Sequence, residues 1–326
     1  MILVRRRLGD LFCGVQTKFK KAGRLPFGLA PGKPAVQEPM LVNTLTPNML
    51  ACEAAIVTGG GRGFGKAIAL GLAAAGAAVT VTARSKDQLE TTVAEIDAAG
   101  GRALAVAGDV SKRDDVKRVV QAAEKNFGPT TILVNNAGIT GPFGPVWTCD
   151  PDEWWDTQAV IARGTLLFMR AVMPGMIEQR KGTVINVAAL GGQWFAPNLT
   201  AYAVAKSSQI RLSEHAAAEA KEHCVSVFSI EPGTVYTDIT ERTINSPDAQ
   251  RWLPQMVEYL KDVIKAKDPA PGLARCAEMC VQLSSGRYAG LSGRFLLPSD
   301  DFDKMLLEPP PPPGSSLIPR QPQRTR

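Results

Sequence analysis

Between residues 49 and 307 the chain alternates short apolar runs with longer amphipathic ones. "AAIVT" (54–58) is followed by a glycine-rich turn and then by "KAIALGLAAAG", whose apolar residues recur at helical spacing. "AAVTVTA" (77–83) reads as a strand, and "KDQLETTVAEIDAAGG" as an amphipathic helix closed by glycine. "ALAVAGDV", "KRDDVKRVVQAAEKNFG" and "TILVNNAG" continue the alternation. Later strands are predicted at 182–189 ("GTVINVAA"), 225–233 ("VSVFSIEPG") and 293–298 ("GRFLLP"). Continuous apolar strands separated by helices predict a parallel sheet covered on both faces. Right-handed crossovers then give a doubly wound, Rossmann-type α/β domain. No internal repeat or second domain is visible.

The ends break this pattern. Residues 1–48 are basic and rich in Pro and Gly, and the stretch 308–326, "EPPPPPGSSLIPRQPQRTR", holds five consecutive prolines. The N-terminal stretch suits either a mitochondrial presequence or a disordered extension; it lacks serine, and Met40 and Met49 are both plausible starts. The C-terminal stretch predicts a solvated, disordered tail. Composition changes the picture mainly by locating the charge. The 326 residues carry +6 overall, yet 1–48 carry +6 and 308–326 carry +2, leaving −2 for 49–307. A nucleic-acid-binding core is therefore not expected. No unbroken apolar run reaches the ~18 residues of a membrane span. Six scattered cysteines without a CxxC pair, Cys276 and Cys280 among them, read as buried thiols of a reducing compartment, so a cytoplasmic location is expected. With only His215 and His223, no metal site is expected.

The glycine turn "TGGGRGFGKAIA" (58–69) lies where the first strand passes into a helix. Such a turn lets backbone approach a pyrophosphate, and the helix N-terminus offers free N–H groups to it. An acid ending the second strand would hold the ribose 2′-hydroxyl of NAD. Here "VTVTARS" has no acid; Arg84 follows, and Arg62 sits in the glycine turn. Two guanidiniums suit a 2′-phosphate, so NADP(H) is the expected cofactor. Further on, Tyr202 and Lys206 of "YAVAK" are four apart and share one helix face, a plausible proton-transfer pair. The small-residue stretch upstream, where a second polar group is expected, reads Ala188-Ala189.

On these residues the chain resembles the classical short-chain dehydrogenases/reductases over about 50–300. "TGGGRGFG" matches the family's TGxxxGxG, "NNAG" (135–138) its fourth-strand motif, "YAVAK" its YxxxK and "EPGTVYTD" (231–238) its PG-x-V-x-T stretch. The resemblance implies a single domain with a sheet of about seven parallel strands, a homodimer or homotetramer, and hydride transfer between a carbonyl and an alcohol. It implies Tyr202 as acid/base, with Lys206 binding the nicotinamide ribose and lowering the tyrosine pKa. Gly59, Arg62, Gly63, Phe64, Gly65, Arg84, Asp109, Val110, Asn135, Val235 and Thr237 would hold the cofactor.

Two positions depart from the family. Its serine, thirteen residues before the tyrosine, falls on Ala189, and its asparagine on Ile161. Gln193, Asn198 and Thr200 are candidate replacement donors, Gln193 first for its reach. A lid is expected at about 239–268, and Trp252, Leu253, Met256, Trp147, Trp194 and Phe195 would make the substrate fairly apolar. Two readings remain: an NADP(H)-dependent oxidoreductase with altered machinery, or a catalytically weak family member acting as partner subunit or in a non-redox biosynthetic step.

Overall fold

The computed structural model describes residues 48–266 and 268–318. Except for Asn48, the basic stretch 1–48 lies outside them, as does 319–326. Seven strands form one parallel sheet: β1 Ala54–Thr58, β2 Ala78–Ala83, β3 Arg102–Ala107, β4 Ile132–Asn135, β5 Gly182–Val187, β6 Val225–Ile230 and β7 Phe295–Leu296. Their order is β3-β2-β1-β4-β5-β6-β7, and every neighbouring pair is parallel. Chain direction along the order reverses between β1 and β4, which opens a crevice at the carboxyl ends of those strands. β1 is buried at every position, as a strand covered on both faces must be.

One face is covered by α1 (Gly63–Ala74), α2 (Lys86–Ala98) and α10 (Ala270–Ser284). Ile68, Leu72, Leu89, Ile96, Cys276 and Cys280 pack there on Val57, Val79 and Ile185. Both cysteines are free and buried, as expected of these two. The other face carries α3 (Arg113–Phe127), α5 (Gly164–Glu178) and α6 (Thr200–Ala220), packed through Val116, Val119, Phe168, Val172 and Ala216 on Ile56, Leu133 and Val184. The lid expectation corresponds to α7 (Asp238–Asn245), α8 (Pro247–Trp252) and α9 (Pro254–Ala266), and α11 (Phe302–Leu307) follows β7.

α4 (Pro151–Gln158) starts at Asp150, whose carboxylate accepts from the amides of Asp152 and Glu153, with Pro151 at the first helical position. A π turn, Ala159–Arg163, joins it to α5. The whole stretch 151–178 is long and apolar enough to cross a membrane by length and composition, although its apolar residues are interrupted by polar ones. Its Phe168, Met169, Val172 and Met176 are committed to the core.

Two sequence expectations are corrected. The last strand is two residues long: Arg294 and Leu296 face β6, and the next residue in that register, Pro298, has no N–H to continue the ladder, while the outward Leu297 amide donates to the Asp300 carboxylate (2.8 Å). In the C-terminal stretch residues 308–313 are exposed, whereas residues 314–317 dock on the fold. They fold back along α6, form a short turn at Ser315–Leu317, and insert Leu317 against Ala188, Ile210 and Phe295. The Ser316 amide donates to Glu214 (2.9 Å) and its hydroxyl to the Gly293 carbonyl (3.2 Å). Proline favours extended backbone but does not prevent docking.

Candidate active site

The turn between β1 and α1 is built around close backbone approach. Gly59 adopts φ +65°, and a Cβ at Gly65 would overlap the Gly59 carbonyl oxygen, so neither position tolerates a side chain. Strand ends are tied across the crevice: the Thr58 hydroxyl accepts from the amides of Asn136 (2.9 Å) and Ala137 (3.0 Å), and the Asn136 side chain donates to the Thr58 carbonyl (2.9 Å). A cavity of about 380 Å³ lies over this turn, walled by Gly61, Gly63 and Phe64 on one side and by Arg84, Asp109 and Val110 on the other. No acid sits in the first turn of α1, so its positive end faces the cavity unopposed. Size, glycine floor and helix end all fit a dinucleotide.

Arg84 lies exposed just past β2, with no carboxylate ending that strand. Arg62, also on the wall, is ion-paired with Asp238 at the start of α7. Arg242 joins the same wall and was not singled out in the sequence. The Asp109 carboxylate accepts from the Ser111 amide (2.9 Å) and hydroxyl (2.7 Å). Partial burial opposes its ionisation, but those bonds and nearby Arg84 outweigh it and hold the carboxyl below its ordinary range. Val110 lines the cavity and also packs on α5, where a Cβ at Gly164 would come within 3.0 Å of it.

Two residues assigned to the cofactor do not line the cavity. Asn135 is buried inside the sheet and donates to the Asn186 side chain at 2.8 Å; the cavity wall is formed by the next residues, Asn136 to Ile139. Adjacent strand residues face opposite sides, so one step decides which of them meets the cavity. Val235 is turned towards the start of α10, where a Cβ at Gly272 would overlap it. Thr237 does line the cavity and caps α7, exchanging bonds with Thr240.

Tyr202 and Lys206 stand together on α6, with the ammonium 5.7 Å from the ring centroid. They do not line the cavity themselves. Gly138 does, and a Cβ there would lie 3.8 Å from Lys206 Nζ, so one glycine separates ammonium from cavity. Lys206 Nζ donates to the Val187 carbonyl (2.6 Å) and to Gln209 Oε1 (2.9 Å). Burial depresses the lysine to about 7, against the pull of the Glu231 carboxylate, which favours the charged form. Glu231 follows β6 and accepts from the amides of Leu190 and of Gly233 (3.1 Å). Its own carboxyl is pushed up by burial, with those bonds and Lys206 opposing. The Tyr202 phenol is raised by burial and then by Glu231. Tyr202 keeps part of its surface accessible, so water moderates this push. Burial thus favours the protonated phenol at Tyr202 and works against the charge on Lys206. Glu231, within the motif "EPGTVYTD", has no role in the sequence reading; the structure shows it as a buried acid whose charge acts on both Tyr202 and Lys206.

The two departures differ physically. Ala189 is partly exposed, extended at φ −167° and ψ 154°, and starts the short turn Leu190–Gly192. That turn lies against the tyrosine ring, since a Cβ at Gly191 would be 3.7 Å from Tyr202 Cε1. Ile161 is fully buried in the π turn, and the Gly138 Cβ position is 3.8 Å from its Cγ1 as well as from Lys206 Nζ. Ile161 and the turn that starts at Ala189 thus both lie near the tyrosine–lysine pair. Two of the three candidate replacement donors donate elsewhere, and the third, Thr200, is held as an acceptor. Gln193 donates to the Ser316 carbonyl, Asn198 to the Trp252 carbonyl (3.2 Å), and Thr200 accepts from the Trp154 indole (3.1 Å). Among the expected pocket aromatics, Trp147 is 83% and Phe195 81% exposed, so both face solvent. Trp252 lies over Gly144, and Leu253 is buried.

The chain matches the family described as short chain dehydrogenase over residues 53–248. It is 35% identical over 270 residues to a short chain dehydrogenase of Pseudocercospora fijiensis (strain CIRAD86), covering 81% of this chain and 86% of that one. Among solved structures, levodione reductase is similar with a TM-score of 0.69 at 28% identity, covering 76% of this chain and 96% of that one. A metagenomic short-chain oxidoreductase in complex with NADP gives 0.59 at 31%, covering 73% and 92%. With glycine turn, parallel sheet and tyrosine–lysine pair in place, the chain belongs to the short chain dehydrogenases, a family of oxidoreductases that use a nicotinamide cofactor.

Proposed function

We propose that this protein is an NADP(H)-dependent oxidoreductase interconverting a carbonyl and an alcohol on a small, fairly apolar substrate. The observation that carries the chemistry is the Tyr202–Lys206 pair, one glycine from the dinucleotide cavity. Gly61, Gly63 and the α1 N-terminus would hold the pyrophosphate, and Arg84 the 2′-phosphate. The bound nicotinamide would supply or accept a hydride. Tyr202 holds a proton at its phenol oxygen and is suited to give it to a carbonyl oxygen and to recover it in the reverse direction. Lys206, when charged, steadies the phenolate left behind.

The choice of NADP(H) rests on Arg84 and on the lack of an acid at the end of β2. Fluorescence titration checks it: NADPH binds more tightly than NADH, and Arg84→Ala costs about tenfold in NADPH affinity while leaving NADH unchanged, as expected of one exposed charge-assisted contact of about 1.5 kcal/mol. Tighter NADH binding by the unaltered protein would refute the assignment. A second reading, a catalytically weak member, is favoured by one observation: Gln193 and Asn198 both donate away from the Ala189 gap.

A further inference from the structure

We infer that Gln209 is a positioning residue for Lys206, holding the ammonium from the lysine's own helix where Ile161 offers no polar group. The inference rests on reading Lys206 as the ammonium of the active site. Gln209 sits one turn after Lys206, so the two side chains meet on one face of α6. An ammonium only donates, so the Gln209 oxygen must face it, and the amide nitrogen must find an acceptor elsewhere. It finds the Thr165 hydroxyl of α5 at 2.7 Å, while Oε1 takes the Lys206 proton at 2.9 Å. All three are sealed from water, with Gln209 1%, Thr165 3% and Lys206 4% exposed. Thr165 therefore fixes the amide, and the amide fixes the ammonium. With Val187 as second acceptor, two of the three ammonium protons are used and one remains to serve the site.

Ile161 explains why the role falls to Gln209. It lies on the cavity side of Lys206, beside Gly138, and brings only hydrocarbon. The charged and titratable groups around the ammonium are few. Tyr202 lies on the same helix, and Glu231 reaches in after β6; the thiol of Cys276 on α10 feels Glu231 rather than the lysine directly. α5 and β5 contribute the neutral Thr165 and the Val187 carbonyl.

The test is a pH titration of Lys206 by NMR in the full chain labelled with ¹³Cε-lysine, with Lys206→Met identifying the resonance. Gln209→Glu keeps an oxygen at the ammonium, adds a negative charge, and lets the Thr165 hydroxyl donate instead of accept; the Lys206 midpoint rises by about one pH unit or more. Gln209→Met removes the acceptor and lowers the midpoint. Thr165→Val, which frees the amide to turn, lowers it by less and serves if the methionine variant fails to fold. Opposite shifts for the glutamate and the uncharged variants support the inference, because a general loosening of the fold would move them the same way. Shifts of one sign, or midpoints that match the unaltered protein, overturn it. The titration needs neither cofactor nor substrate, so it can fail while NADPH binding stands, and NADPH binding can fail while it succeeds.

Discussion

Restoring a hydroxyl at residue 189 asks how much of a reductase is already present. Ala189 is partly exposed and extended, and its turn lies against the Tyr202 ring. Ala189→Ser therefore adds one oxygen without displacing a core group, and a surface change of this kind alters stability by about 0.5 kcal/mol or less. A donor aimed at a developing oxyanion contributes about 2.7–4 kcal/mol, or about 10²–10³ in turnover. The gain so far exceeds the cost that the variant's rate reports the missing donor and little else. NADPH oxidation against a panel of small ketones is the assay, with Tyr202→Phe in the serine background as control. We expect kcat to rise about a hundredfold, NADPH affinity to stay constant, and the phenylalanine control to abolish the gain. A kcat within threefold of the unaltered protein, with NADPH still bound, would refute the argument that the hydroxyl is the part this site lacks.

Ile161→Asn behaves oppositely: it replaces a fully buried apolar side chain with an amide, while Lys206 already has Val187 and Gln209 as acceptors. The loss is about 2–4 kcal/mol, seen as a fall of several degrees in a thermal melt with no gain in turnover; an unchanged melting temperature contradicts this. Gly65→Ala drives its Cβ into the Gly59 carbonyl, so NADPH-dependent fluorescence change is lost while circular dichroism still reports an α/β fold; retained binding shows that the turn can yield.

The strands were legible because a strand buried on both faces has no polar period to obscure it; β1 and β2 are read almost residue for residue. The glycine turn and the tyrosine–lysine pair were legible because their chemistry is local, within one turn or one helix. What escaped depended on distant partners. Gln209 is visible as a neighbour of Lys206, but its orientation is set by Thr165, 44 residues earlier on another helix. Gln193 has the reach expected of it, yet Ser316, 123 residues later, claims it. Asn135 and Asn136 differ by a single strand step, and a motif locates the pair without saying which member faces the cavity.

The π turn at Ala159–Arg163 constrains how this protein can change length. A π turn carries one residue more than an α-helical turn, and one residue advances a helix by about 100°. Deleting one residue there would make 151–178 one regular helix with Phe168, Met169 and Val172 still on the sheet and Gly164 still beside Val110, because the turn holds the extra residue. Homologues are therefore expected to lose a single residue at the turn without disturbing α5, whereas a single deletion elsewhere in 151–178 would turn its face by about 100°, and a helical wheel drawn through 151–178 misplaces every face beyond the turn.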